Sequence, residues 1–312
     1  MIYSSAEMRR LATIFATIFA TFICTLSSLY LSGCQSCSTE PSESPLSEAP
    51  SSSDSRGAQD KPREASLRVL SLAPSHTEWV FKLGAQEHLV GRTDHCDHPA
   101  GARDIPSIGN LFPPNIERLL SRTPTDVLMI DGHEALGEHL QRLGVRVHRL
   151  QPHSLNEIFT LVKQLGSLLN ASNAAHAWVS ESEMRVSRLK APQQRPRVLI
   201  EVWSKPLTVA GAESFMGDLV RVAGGESVPR DLGAWPTLSL ERLIALDPEV
   251  LLVSTEALYR ELTQHPKPPW SALSAVKSGR VYLLGGRLAR PGPRVIDELE
   301  WLHQRITPRV SR

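Results

Sequence analysis

Ile116-Glu-Arg-Leu-Leu-Ser-Arg-Thr-Pro-Thr-Asp-Val-Leu-Met129 and Leu240-Glu-Arg-Leu-Ile-Ala-Leu-Asp-Pro-Glu-Val-Leu-Leu-Val253 repeat one pattern at a constant offset of 124 positions. Glu117/Glu241, Arg118/Arg242, Leu119/Leu243, Pro124/Pro248 and Leu128/Leu252 are identical. Each copy reads as a helix, a turn containing proline, and a buried strand. An unrelated helix–strand unit has no physical reason to repeat an exposed Glu-Arg pair, which favours a body built of two similar halves.

Short β-branched runs alternate with helical segments on either side of these copies. Arg68–Leu72 reads as a strand and Ser75–Leu83 as a helix ending at Gly84. Asp126–Ile130 is a strand, Ala135–Leu143 a helix ending at Gly144, and Val145–Leu150 a strand. Ser154–Leu169 is a helix opened by a Ser154-x-x-Glu157 capping box, and Ser172–Lys190 is a further long helix. Arg197–Trp203, Glu249–Ser254 and Arg280–Leu284 supply a second strand series. Strands alternating with helices predict α/β architecture with parallel sheets covered on both faces. A second parallel links Val69–Glu78 with Leu207–Glu213. Each runs from a strand through a turn to a glutamate near a helix N-terminus, where the helix dipole favours negative charge. Ser75-x-x-Glu78 also reads as a capping box.

The 312 residues carry 34 Lys+Arg, 33 Asp+Glu and four cysteines, with 41% hydrophobic and 21% charged residues. That suffices for a sizeable core and excludes wholesale disorder. A formal net charge of +1 argues against a general nucleic-acid binder. Arg9-Arg10, the apolar stretch 11–30 and Leu31-Ser-Gly-Cys34 read as an export signal ending in a bacterial lipobox, with Cys34 the lipidated first mature residue and 1–33 removed. Four Thr and two Ser at 13–28 make that stretch a poor uncleaved anchor. Met8 is an alternative start that leaves the cleavage unchanged. Residues 34–66, rich in Ser, Pro and Glu, read as a disordered tether, acidic where 67–312 is mildly basic. After export Cys96 either pairs with Cys37 or stays a free thiol.

The body resembles a class III solute-binding protein of an ABC importer, the group that carries cobalamin, ferric siderophores and haem. The matching segments, in order over 68–306, are Arg68–Glu78, Gly91–Pro99, Asn115–Arg118, Ala210–Ser214, Ala223–Glu226, Trp270–Lys277, Gly279–Tyr282 and Arg290–Arg294. The resemblance implies two Rossmann-like α/β lobes, 67–171 and 191–312, joined by one long α-helix, 172–190, with ligand held between them. It implies a monomeric, non-enzymatic receptor with no cofactor, tethered by lipid, that serves a permease and its ATPase. One glutamate per lobe docks on permease arginines in that family, and Glu78 and Glu213 fall at those places. Cobalamin is the first expected ligand, contacted by Trp235 and Trp203, with His95 where a tyrosine is common and Phe112 where a tryptophan is expected. Arg287 and Arg290 would instead suit an anionic siderophore or haem propionates. Trp79, Trp178 and Trp301 read as core or inter-helix residues.

Two motifs are set aside. His95-Cys96-Asp97-His98 has ligands too crowded to close a metal site by itself. His133 and His139 flank two glutamates, but six residues place them about 240° apart around a helix, unlike the i,i+4 pair of zinc proteases. The remaining rivals are an extracytoplasmic metal chelatase, which shares a two-lobe α/β plan, and a purely structural adaptor lipoprotein.

Overall fold

The computed structural model describes residues 66–307. The expected signal, Cys34, Cys37 and the tether lie outside the described residues. The first lobe is a parallel sheet of β1 (Val69–Ser71), β2 (Leu89–Arg92), β3 (Asp126–Met129) and β4 (Arg146–Arg149), in the order β2-β1-β3-β4. The second contains β5 (Arg197–Ser204), β6 (Leu207–Ala210), β8 (Val250–Val253) and β9 (Val281–Leu283), in the order β6-β5-β8-β9, with β7 (Glu226–Ser227) also paired to β5. The unbroken buried runs of β1, β3 and β8 take the interior places, as strands covered on both faces do. One expectation is corrected: β6 pairs antiparallel to β5. Only Lys205-Pro206 separates the two strands, and so short a link can make a hairpin but no parallel crossover.

The helices are α1 (Pro74–Lys82), α2 (Ile116–Ser121), α3 (Glu134–Arg142), α4 (Leu155–Leu168), α5 (Ser172–Ser187), α6 (Phe215–Val222), α7 (Leu240–Leu246), α8 (Glu256–Gln264), α9 (Ser274–Lys277) and α10 (Val295–Ile306). Pro74 occupies the first turn of α1, whose N-cap is Ala73. Ser75 therefore lies inside the helix and forms no capping box with Glu78. At α4 Ser154 caps Glu157 N–H as expected, but Glu157 Oε2 accepts from His153 N–H, one residue earlier than a capping box requires. Among the described residues no helix is long and apolar enough to cross a membrane.

The internal repeat persists in three dimensions. Asn115 and Ser239 cap α2 and α7 by accepting from Arg118 N–H and Arg242 N–H. Each helix runs into a left-handed residue, Thr123 (φ 45°) or Asp247 (φ 35°), before the strand begins. An arginine beside the first strand of each lobe then grips that turn. Arg68 donates to the carbonyls of Thr123 (2.9 Å) and Arg122 (2.7 Å), and Arg197 to that of Asp247 (2.8 Å). Thus β1 corresponds to β5, and α1 and α6 each lead from that strand to its parallel neighbour, β2 or β7, with Glu78 inside α1 and Glu213 just before the cap of α6.

Alternation along the strands divides the core. Leu70 and Val127 face an outer cluster with Leu119 and Leu140, and Leu199 and Leu251 face another with Leu243 and Leu273. Their neighbours Val69, Leu128, Val198 and Leu252 belong to a single cluster that runs through Ile158 and Leu165 of α4, Trp178 of α5 and Leu299 of α10. Trp79 meets Trp178 edge-on at 4.6 Å within it. The helices at 155–187 are thus a shared core rather than a bare connector, and α4 and α5 approach closely because Gly166 offers no Cβ, which would lie 2.5 Å from that of Ala175.

Two buried titratable groups make this fold acid-sensitive. Burial pushes the His76 ring down to about 4, with Nε2 2.8 Å from the Leu150 carbonyl. Burial alone would raise Asp126, but donors from Arg146, Thr125 and His148 outweigh it and hold the carboxyl at about 2. Both folded values lie below the ordinary ones of 6.5 and 3.8, so the unfolded chain binds more protons as pH falls. Their stabilisation is complete above the ordinary values. His76's share, about 3 kcal/mol, is lost as pH drops from 6.5 to 4, and Asp126's, about 2 kcal/mol, below that. Urea unfolding against pH is expected to show a first decline between pH 6.5 and 4 that His76→Asn removes.

Candidate functional site

Helix α1, which follows β1, and the loop after β2 both touch the segment after β9, so the two lobes meet beyond the carboxyl ends of these strands, the usual place for ligands in parallel α/β sheets. Glu78 on α1 is 3% exposed and meets Arg290 Nη1 at 3.3 Å and Arg294 Nη2 at 3.4 Å. Trp79 Nε1–H donates to the Pro291 carbonyl at 2.9 Å, and Asp97, beyond β2, meets Arg290 at 3.4 Å.

Three large aromatic side chains stay more than half exposed: Phe112 (53%) in the segment between β2 and α2, Trp203 (59%) near the end of β5, and Trp235 (53%) between β7 and α7. Each leaves apolar ring surface in water that a covering partner would bury. Phe112 stacks flat on His133, with ring centroids 4.2 Å apart and planes 3° from parallel. His133, the N-cap residue of α3, is buried, and that burial lowers its pKa, so a neutral ring backs the inner face of Phe112. Gly132, just before His133, takes a left-handed backbone (φ 88°) that favours glycine. The sequence had singled out His133 only as part of a zinc-like pattern and had missed this backing. No local sequence signal marks that stacking, since Gly132 reports only a left-handed turn.

Trp203, the next-to-last residue of β5, braces the hairpin turn, its indole N–H donating to the Lys205 carbonyl at 2.8 Å. Trp235 rides on a strip that follows the free edge of β6. Val209 N–H donates to Pro236 O at 3.0 Å and Gly211 N–H to Ala234 O at 2.9 Å. A Cβ at Gly211 would collide with the Gly233 carbonyl. Gly211→Ala is therefore expected to push this strip off β6, destabilising the fold by about 1–3 kcal/mol and weakening ligand capture. Thermal melting and calorimetric titration measure the two effects.

The other expected residues are placed differently. His95 is exposed in the loop after β2. Arg290 is spent on Glu78 and Asp97. Arg287 lies over the Trp301 ring at 5.2 Å and borders a cavity of about 340 Å³ with Arg294, Glu298 and Trp301. Glu213 is exposed just before Ser214, the cap of α6, whereas Glu78 is interior. Cys96 is a free, buried thiol 3.3 Å from Thr93 Oγ1. Among the described residues no three His, Cys, Asp or Glu side chains are grouped to hold a metal ion. Glu117 and Glu241, by contrast, occupy matching places in the first turns of α2 and α7 and are both exposed. Exposed Ile116 (41%), Leu240 (46%) and Ile244 (46%) accompany them.

Two α/β lobes that meet beyond the carboxyl ends of their strands, a shared helical core and open aromatic rings define a solute-binding receptor by architecture. The chain belongs to the periplasmic binding protein family, whose model matches residues 69–288. It is similar to an uncharacterized ABC transporter substrate-binding lipoprotein, YvrC, of Bacillus subtilis (strain 168), 26% identical over 254 residues that cover 77% of this chain and 80% of that one. It is also similar to a vitamin B12-binding protein of Yersinia pseudotuberculosis serotype O:3 (strain YPIII), 26% identical over 199 residues covering 62% and 71%. Among solved structures, a periplasmic haem-binding protein from Pseudomonas aeruginosa superposes with a TM-score of 0.67 at 25% identity, covering 78% of this chain and 94% of that one.

Proposed function

We propose that the chain is the lipid-anchored, extracytoplasmic receptor of an ABC importer, which holds a metal-bearing chelate between its lobes and delivers it to a permease. Cobalamin is the favoured ligand, and haem or a ferric siderophore the alternative. The observation that carries this reading is the trio of half-open rings, Phe112, Trp203 and Trp235, suited to a large planar macrocycle. The commitment of Arg290 to Glu78 and Asp97 weakens the anionic alternative, since such a ligand would have to compete with protein carboxylates. Anchoring falls to Cys34.

Docking moves from the expected pair to Glu117 and Glu241. A carboxylate 3% exposed between two guanidiniums, as Glu78 is, offers nothing to a partner's arginine. Glu117 and Glu241 sit at equivalent sites, one per lobe, each beside an exposed apolar side chain. Glu241 is held ionised chiefly by its own backbone N–H and the Ser239 hydroxyl. Calorimetric titration with cyanocobalamin, haemin and a siderophore panel tests the ligand. Saturable binding of cyanocobalamin is expected, and binding of a siderophore without cyanocobalamin would overturn that choice. Metal insertion into a porphyrin, followed by absorbance, would reveal chelatase activity if the receptor reading failed.

A further inference from the structure

The contact between Glu78 and the segment after β9 is separate from the three exposed rings and from Glu117 and Glu241. Glu78 belongs to the first lobe, and Arg290 and Arg294 to the second, 212 and 216 residues away. A buried carboxylate without partners is costly, and both arginines answer that need. The chain between them passes directly over the carboxylate: a Cβ at Gly292 would lie 3.0 Å from Glu78 Oε2. The adjoining indole of Trp79 holds the Pro291 carbonyl, and Asp97 takes the far side of Arg290. On its own lobe the segment is pinned by Leu288 N–H, which donates to Glu298 Oε2 at 2.8 Å. A buried ion pair adds little net stability compared with apolar packing, but breaking one side of it is strongly unfavourable. Such a pair specifies geometry.

We infer that Glu78, Arg290 and Arg294 form an interlobe clasp that fixes the aperture between the two lobes. They are positioning residues, and the inference rests on the reading that ligand is held between the lobes. Ligand then enters a gap of preset width rather than drawing the lobes together.

Hydrogen–deuterium exchange of the ligand-free chain tests this and needs no knowledge of the ligand. Glu78→Gln is expected to speed exchange about tenfold in residues 285–294 and 74–82 while β3 and β8 stay protected. Arg290→Gln with Arg294→Gln, which alters only partly exposed side chains, is expected to do the same and serves if the first variant fails to fold. Once titration has identified a ligand, stopped-flow dissociation should quicken in both variants. Unchanged exchange at 285–294, or a uniform rise over the whole chain, would overturn the clasp. Loss of binding to every probe, with local exchange changed as expected, would count against the receptor reading and leave the clasp standing.

Discussion

Removing two rings together, Phe112→Ala with Trp235→Ala, is expected to weaken ligand binding about 100-fold while leaving the melting temperature nearly unchanged. Each ring is about half exposed in the free protein, so a ligand that covers it removes on the order of 100 Å² of apolar surface from water. At roughly 25 cal/mol per Å², discounted for ordering the ligand, two rings contribute about 3 kcal/mol, or two decades of affinity. Phe112 should dominate. His133 fixes its plane from behind, so its orientation costs nothing on binding, whereas Trp235 depends on the strip along β6. Titration of both single variants and the pair measures this. A double variant that binds as tightly as the parent chain would exclude the rings as the ligand surface.

Reversing two charges, Glu117→Arg with Glu241→Arg, is expected to abolish uptake, by 100-fold or more, with ligand affinity intact. Like charges set against each other at an interface cost several kcal/mol, and here the cost falls on both lobes at once. Each single reversal should leave partial activity, because the other lobe still engages. Transport in reconstituted vesicles, alongside titration of the free receptor, separates docking from capture. Full uptake by the double reversal would return the docking role to other surfaces, with exposed Glu213 the next to test.

The elements legible in the sequence were those with local causes. The 124-residue offset held through caps, left-handed turns and strands, and Gly84 and Gly144 end their helices at positive φ. Trp203, Phe112 and Trp235 could be named only through the family resemblance, since no local pattern marks an aromatic side chain as a ligand contact. What escaped was non-local or depended on a single residue. Pro74 shifts the start of α1 and turns Glu78 from a supposed cap into an interior anchor. The antiparallel β6 follows from a two-residue link whose meaning appears only once its neighbours are known to be strands. The partners of Glu78 lie more than 200 residues away, beyond any periodicity. The exposure of Glu117 and Glu241 and the burial of Glu78, on which the proposed docking pair rests, depend on tertiary packing that no local pattern carries.

The apolar cluster common to both sheets carries a last consequence. Receptors whose lobes own separate cores can loosen one half while the other keeps its shape. Here Val69 and Val198 belong to the same packed body, so neither lobe can relax alone without opening the interior of the other. Such a body is expected to unfold as one cooperative unit, and if it serves an importer, as proposed, the work of releasing its cargo would fall to the permease.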